Sequence, residues 1–355
     1  MTVAGSSSAQ PRECASRVTR VLVVDDSVVA RAVLTRLIAD DPRYRVVAAV
    51  GDVPNALRCL ARETVDVILL DLEMPGTDGL TALPDLLAAG GEARVLVVSS
   101  ACGDGANATI QALALGAADT LEKPEPGALG ARFGDLLFDK LERLGDRSPA
   151  SPARPSAQAG LRLAPFDVVA IGASTGGIHA LGQLLRAIPA DFRQPILVTQ
   201  HLPASFISYF AAQVAVLAGR PCDVAEDHLR VRAGRVTVAP GDAHLTVASL
   251  GHAGLGIRLS TVPVTSGCLP SVDPMFASLA KTLGPRLLAV VLSGMGRDGS
   301  EGARIVRASG GSLVVQDQAS SAVWGMPGSV AAAGLAQAIL PPDEIGRLIA
   351  AGSAR

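Results

Sequence analysis

Phe166-Asp167-Val168-Val169-Ala170-Ile171-Gly172-Ala173-Ser174-Thr175-Gly176-Gly177 runs from an apolar segment into a glycine-lined turn, and His179-Ala180-Leu181-Gly182-Gln183-Leu184-Leu185 follows with helical spacing. The pattern is that of a buried strand whose C-terminal end opens directly into a helix. A turn of this kind holds Ser174 at a sheet edge beside unpaired backbone N–H groups. Gly172, Ser174 and Gly176 spell G-x-S-x-G, the nucleophile-elbow pattern. Alone, the pattern also fits phosphate binding or plain packing. A dinucleotide site fits poorly, because Ser174 stands where the second glycine of G-x-G-x-x-G must admit the pyrophosphate. The next strand, Gln194 to His201, moreover ends in histidine rather than a ribose-binding acid.

Further along, three strand ends carry residues able to do chemistry: Ser174, His201 and Asp298. A serine hydroxyl is a poor nucleophile at neutral pH until a base takes its proton, and the base needs an acid to fix its tautomer. Parallel strands can deliver all three to one sheet edge. The order Ser…His…Asp differs from that of the α/β-hydrolases, but triads are defined by geometry rather than order. The turns Thr175-Gly176-Gly177 and Gly294-Met295-Gly296 offer backbone N–H groups for an oxyanion hole. Arg235 to Val247 reads as a hairpin turned at Pro240-Gly241-Asp242, with Gly256 to Ser260 as its pairing strand.

Towards the N-terminus a second alternation of strands and helices begins at Arg20. Val21 to Asp26 is a strand ending in two acids, and Ser27 is placed to cap a helix reaching Ala39. Strands follow at 46–50, 65–71, 94–100 and 119–122, which implies a doubly wound parallel sheet. If the first and third strands are neighbours, Asp25, Asp26 and Asp71 converge on one crevice. Three carboxylates that close call for a cation, and oxygen ligands suit Mg²⁺. Ser99 and Lys123, each after a strand, are placed to offer a hydroxyl and a positive charge to a phosphoryl group.

The chain has 355 residues, with 49% hydrophobic, 18% charged and only 3% aromatic, as expected of folded β/α domains rather than a disordered chain. A net charge of −2 and the lack of a basic run give no reason to expect nucleic-acid binding. Cys14, Cys59, Cys102, Cys222 and Cys268 are odd in number and scattered, so neither a disulfide framework nor a zinc motif is indicated. The uncharged stretch from Gln318 to Pro342 is broken by Gly325, Pro327, Gly328 and Gly334, which argues against membrane insertion. The first nineteen residues are polar and lack the apolar core of a signal peptide, so a cytoplasmic protein is expected. The division expected is a leader 1–19, a first domain 20–144, a linker 145–165 rich in Pro, Ser and Ala, and a second, distinct α/β domain 166–350 with a mainly parallel sheet.

Val24-Asp25-Asp26-Ser27, Asp71-Leu72-Glu73-Met74-Pro75-Gly76-Thr77-Asp78-Gly79 and Lys123-Pro124 resemble the flavodoxin-like receiver domain of response regulators. The resemblance implies that Asp71 accepts a phosphoryl group from a histidine kinase. It further implies that Asp25, Asp26, Asp71 and the Glu73 carbonyl hold Mg²⁺, and that Ser99 and Lys123 contact the phosphoryl oxygens. The second domain is similar to the catalytic domain of chemotaxis protein-glutamate methylesterases. The similarity runs through Ile171 to Gly177, Gln200-His201-Leu202-Pro203, Pro240-Gly241-Asp242, Pro270-Ser271-Val272-Asp273-Pro274, Leu292 to Gly299 and Gly325-Met326-Pro327. It implies Ser174 as nucleophile, His201 as base, Asp298 as its orienter, Met295 N–H in the oxyanion hole and Thr175 in support. It implies hydrolysis of glutamyl methyl esters and deamidation of glutamine on methyl-accepting chemotaxis receptors, with no cofactor in the hydrolysis itself. One departure stands out: Thr265-Ser266-Gly267-Cys268-Leu269 occupies a loop where the family usually carries basic or histidine residues. Two alternatives remain at this level. One is a phospho-switched binding protein whose altered loop has weakened or redirected the hydrolase site. The other is a general esterase using a later histidine, such as His244, as base.

Overall fold

The computed structural model describes residues 18–74, 76, 78–99, 104–123, 131–145 and 163–352. Nearly all of the expected leader and linker therefore lies outside the described residues, as do Pro75, Thr77 and Pro124.

The N-terminal domain alternates β1 (Thr19–Val24), α1 (Val28–Ala39), β2 (Tyr44–Val50), α2 (Val53–Leu60), β3 (Val67–Leu70), α3 (Gly79–Gly90), β4 (Arg94–Ser99), α4 (Asp104–Leu115), β5 (Asp119–Glu122) and α5 (Ala131–Gly145). Its five strands lie in the order β2-β1-β3-β4-β5, with every pair parallel. Val67 to Leu70 are buried without alternation, because helices cover both faces of the sheet. Ser27 caps α1 as its sequence suggests, accepting the Ala30 N–H. The order reverses between β1 and β3, so Asp25 and Asp71 meet at the point where such sheets bind ligands.

The C-terminal domain runs β6 (Val168–Ala173), α6 (Gly177–Arg186), β7 (Ile196–Gln200), α7 (Ala204–Ala218), β8 (Cys222–Val224), β9 (Val236–Val238), β10 (His244–Ser249) and β11 (Leu255–Ser260). It continues α8 (Val272–Leu283), β12 (Leu287–Val291), α9 (Ser300–Ala308), β13 (Ser312–Gln316), α10 (Met326–Ala332), β14 (Ala338–Leu340) and α11 (Pro342–Gly352). Seven strands form one parallel sheet in the order β14-β13-β12-β6-β7-β9-β8. The chain runs outward from β6 on one side and returns to start at β12 on the other. The end of β6, and with it Ser174, thus lies at the reversal of strand order.

The hairpin expected over 235–247 is not formed. Val236 to Val238 pair in parallel with β7 and β8, and all three residues are buried. A segment covered on both faces belongs inside a parallel sheet, whatever turn signal follows it. β10 instead pairs antiparallel with β11, the partner strand read from Gly256 to Ser260.

The two domains share one apolar core. On α4, Ala106, Ile110 and Leu113 form a stripe at helical spacing, and on α7 Phe206, Ile207, Phe210 and Val214 form another. All belong to a single cluster of buried side chains. The first domain therefore packs against the second through α4, beside the C-terminal edge of the second sheet.

Candidate active site

The register of β6 and β7 pairs Ala173 with Gln200, and the His201 N–H donates to the Ala173 carbonyl at 3.0 Å. Ser174 and His201 are thus the next pair along two adjacent strands. On the other flank, Ser174 N–H donates to Ser293 O, just past β12. Gly176 closes the turn in the left-handed region (φ 74), and a Cβ there would lie 2.4 Å from that of Ala322. At Gly294 a Cβ would fall 2.8 Å from that of Ser174. Both glycines are what allow two loops to close on the serine.

Asp298 lies in the loop from β12 to α9 and is 2% exposed. Its Oδ2 accepts His201 Nε2–H at 2.7 Å and Val272 N–H at 2.7 Å, while its Oδ1 accepts the Ser271 hydroxyl at 2.6 Å. Burial alone would raise the Asp298 pKa. The bonds from His201, Ser271 and Val272 outweigh it and hold the carboxyl well below the usual range. An ionised Asp298 fixes the proton on His201 Nε2 and leaves Nδ1 with the free lone pair. That is the reverse of the nitrogen assignment in serine proteases. Among the described residues no hydrogen bond joins Ser174 Oγ to His201. Unliganded catalytic pairs commonly stand further apart than hydrogen-bond length.

Ser174, Thr175, Gly176, Gln200 and His201 line a cavity of about 200 Å³ together with Ala118, Asp119, Lys140 and Arg143 of the first domain. Ala118 O accepts the Gly176 N–H at 2.7 Å, and Asp119 accepts the Thr175 hydroxyl at 2.9 Å. Lys140 pairs with Asp119 at 2.9 Å, and His179 Nδ1 meets Ala114 O at 3.0 Å. Thr175 therefore faces the first domain here, not the histidine. Of the two turns expected to offer oxyanion donors, the first has its Gly176 and Gly177 N–H groups engaged, by Ala118 and Ser174. In the second, Gly294 N–H is bonded to Val323, whereas Met295 N–H has no partner among the described residues.

Several supporting residues escaped the sequence reading. Ser271 braces Asp298, and buried His244 braces Ser271 in turn, its Nδ1 accepting the Ser271 N–H at 2.9 Å. Ser293 donates its hydroxyl to Thr175 O, and Gln200 donates to Ser174 O. Ser271, Ser293 and Gln200 lie inside the quoted motifs, which was the available signal, whereas His244 lies outside them. With His244 committed to this bracing, it is not the base of a general esterase.

In the first domain, carboxylate oxygens of Asp25, Asp26 and Asp71 lie within 4.8 Å of one another. Lys123 Nζ is 2.6 Å from Asp71 and 3.2 Å from Asp25. Burial raises the Asp71 pKa, with the lysine working against it. For Lys123 burial works downward, but the two carboxylates win and hold it above its ordinary value. Asp25 Oδ2 is buried and, apart from the Lys123 ammonium at 3.2 Å, has no hydrogen-bond partner among the described residues. A buried acceptor left over among three acids fits a hard divalent cation such as Mg²⁺. Glu73 N–H donates to Asp71 Oδ1, and Ser99 Oγ is 2.5 Å from Thr109 Oγ1 at the end of β4.

The CheB methylesterase family model matches residues 169–349, and that of the response regulator receiver domain matches residues 21–132. Protein-glutamate methylesterase/protein-glutamine glutaminase 2 of Caulobacter vibrioides is 42% identical, over 93% of this chain and 98% of that protein. A relative of the same description from Paramagnetospirillum magneticum is 40% identical, over 92% of this chain and 94% of that one. Among solved structures, the Thermotoga maritima CheB methylesterase catalytic domain is 33% identical with a TM-score of 0.50, covering 52% of this chain and 98% of that one. With its G-x-S-x-G turn at a strand reversal and its acid crevice in front, this chain belongs to the CheB methylesterase family and carries a response regulator receiver domain.

Proposed function

We propose that this protein hydrolyses glutamyl methyl esters, and deamidates glutamines, on the cytoplasmic helices of chemotaxis receptors, and that phosphorylation of Asp71 by a histidine kinase switches it on. The observation that carries the catalytic part is the hydrogen-bonded His201–Asp298 pair at the strand end beside Ser174. Ser174 Oγ attacks the ester carbonyl while His201 Nδ1 takes its proton. The resulting imidazolium is stabilised by ionised Asp298. Negative charge on the tetrahedral carbon's oxygen is met by the Met295 N–H. Methanol leaves with the proton from His201. Water, deprotonated by the same nitrogen, then releases the glutamate and regenerates Ser174. With an amide, ammonia leaves in place of methanol.

Regulation follows from occupancy of the cleft. A cavity of about 200 Å³ is smaller than ordinary ligand pockets, and a receptor helix about 10–12 Å across needs far more room. The docked receiver therefore excludes substrate. When bound, Mg²⁺ would be held by Asp25, Asp26 and Asp71 and would neutralise the phosphoryl oxygens. Lys123 is then drawn to the phosphoryl group, and Ser99 moves with it. Both changes shift the β4–β5 edge that carries Ala118 and Asp119. Among the described residues no helix is long and apolar enough to cross a membrane.

The test is methanol release from methylated receptor membranes, with and without a small phosphodonor and Mg²⁺. Release should require Ser174 and should rise with phosphodonor in wild type but not in Asp71→Asn. A protein that takes up phosphate yet releases nothing would instead be a phospho-switched binding protein.

A further inference from the structure

The 265–269 loop brings a third kind of ligand to the catalytic pair. Cys268 Sγ, a ring nitrogen of His201 and a carboxylate oxygen of Asp298 all lie within 4.8 Å of one another. Cys268 is half-buried, and its neighbours Thr265, Ser266, Gly267 and Leu269 are exposed. Among the described residues its thiol makes one hydrogen-bond contact, a long one of 3.8 Å to Ser266 O. A thiolate on this partly open loop, with the imidazole and the buried carboxylate, forms a donor set that matches Zn²⁺, with a fourth position left for water. The oxygen-only crevice of the receiver, by contrast, matches Mg²⁺.

We propose that His201, Cys268 and Asp298 form an inhibitory site for Zn²⁺ or a similarly thiophilic divalent cation. The thiol gives up its proton to solvent as the metal binds, the imidazole binds neutral and Asp298 binds ionised. Bonds of about 2.0–2.3 Å need the exposed loop to bring Cys268 inward and, where Nε2 is the ligand, the 2.7 Å His201–Asp298 hydrogen bond to open around the ion. The consequence for catalysis follows from the imidazole alone. Neutral imidazole has one lone pair and one N–H. Whichever nitrogen binds the metal, the other carries the proton. Either way no lone pair is left to deprotonate Ser174, and if Nε2 is the nitrogen that binds, Asp298 also loses its hydrogen bond from His201. The coordination rests on the geometry of the three side chains, while the loss of activity rests on the triad reading given above.

Co²⁺ titration of the metal-stripped full-length protein, under a non-chelating reductant, separates the two. Wild type should develop a thiolate-to-cobalt charge-transfer absorption that Cys268→Ser lacks, with Cys14, Cys59, Cys102 and Cys222 unchanged in both. Zn²⁺ should inhibit ester hydrolysis in wild type at a concentration at least about tenfold lower than in Cys268→Ser, each protein normalised to its own metal-free rate. Mg²⁺ at the same concentrations should not inhibit. Absence of the absorption in wild type, or its persistence in Cys268→Ser, overturns the site whether or not hydrolysis is detected. Equal Zn²⁺ sensitivity of the two proteins overturns its inhibitory role.

Discussion

Asp298 is the residue on which the catalytic geometry turns, and two of its three hydrogen bonds come from the segment Ser271-Val272. Ser271 touches Asp298 and not the substrate, so its removal should lower kcat and leave KM nearly unchanged. A hydrogen bond to a charged acceptor contributes about 1.5–3 kcal/mol, so Ser271→Ala should lose roughly 10- to 100-fold in kcat in steady-state ester hydrolysis. A loss confined to KM would place Ser271 in substrate binding instead. Ser174, His201 and Asp298 were legible because residues able to do chemistry at the ends of apolar runs are conspicuous. The roles of Ser271 and His244 were not: Ser271 lies inside a quoted motif, but only folding brings it to Asp298 from 27 positions away, and His244, outside the motifs, reaches Ser271 from 27 positions on the other side.

At the level of the element, the N-terminus of α8 carries an electrostatic conflict. An acid in the first turn of a helix is ordinarily favoured in its charged form. Asp273 stands there and accepts the Gly302 N–H at 2.7 Å. Burial, joined by the nearby Asp298 charge, nevertheless pushes its pKa up to about 6. A carboxyl whose folded pKa exceeds its unfolded value adds stability that is fully present below the unfolded value, near 4, and is lost as pH rises through about 6. Asp273→Asn keeps an acceptor for Gly302 without the charge. Its melting temperature relative to wild type should therefore climb between about pH 4 and about pH 7, as read by thermal unfolding across that range. A gap that does not change with pH would show that Asp273 titrates normally. The parallel strands were largely legible from their unbroken apolar runs. The segment Val236-Thr237-Val238 was misjudged because Pro240-Gly241-Asp242 is as good a hairpin turn as it is a corner between sheets, and only burial on both faces distinguishes the two.

For the whole molecule, the decisive feature is the shared core between α4 and α7, invisible beforehand because either apolar stripe could have been buried within its own domain. Around it the polar contacts are few, with Asp119 bridging Thr175 and Lys140. Losing a bond of this kind should weaken docking by about 0.5–1.5 kcal/mol. Asp119→Ala should accordingly hydrolyse ester roughly 2- to 10-fold faster than wild type without phosphodonor, and respond less to it. An unchanged basal rate would mean that docking is not what limits the resting enzyme. The contact of Ala118 O with the Gly176 N–H has one more consequence. The receiver grips the very turn that carries the nucleophile, so under the proposed switch substrate and phosphoryl group would both favour the same separated arrangement, and coupling of this kind is reciprocal. Methylated receptor should raise the phosphorylated fraction of Asp71 at a fixed, limiting phosphodonor concentration. An enzyme surrounded by its target would then be a better phosphoacceptor than the same enzyme free in solution, and signalling complexes rich in unfinished substrate would hold their own eraser in the active form.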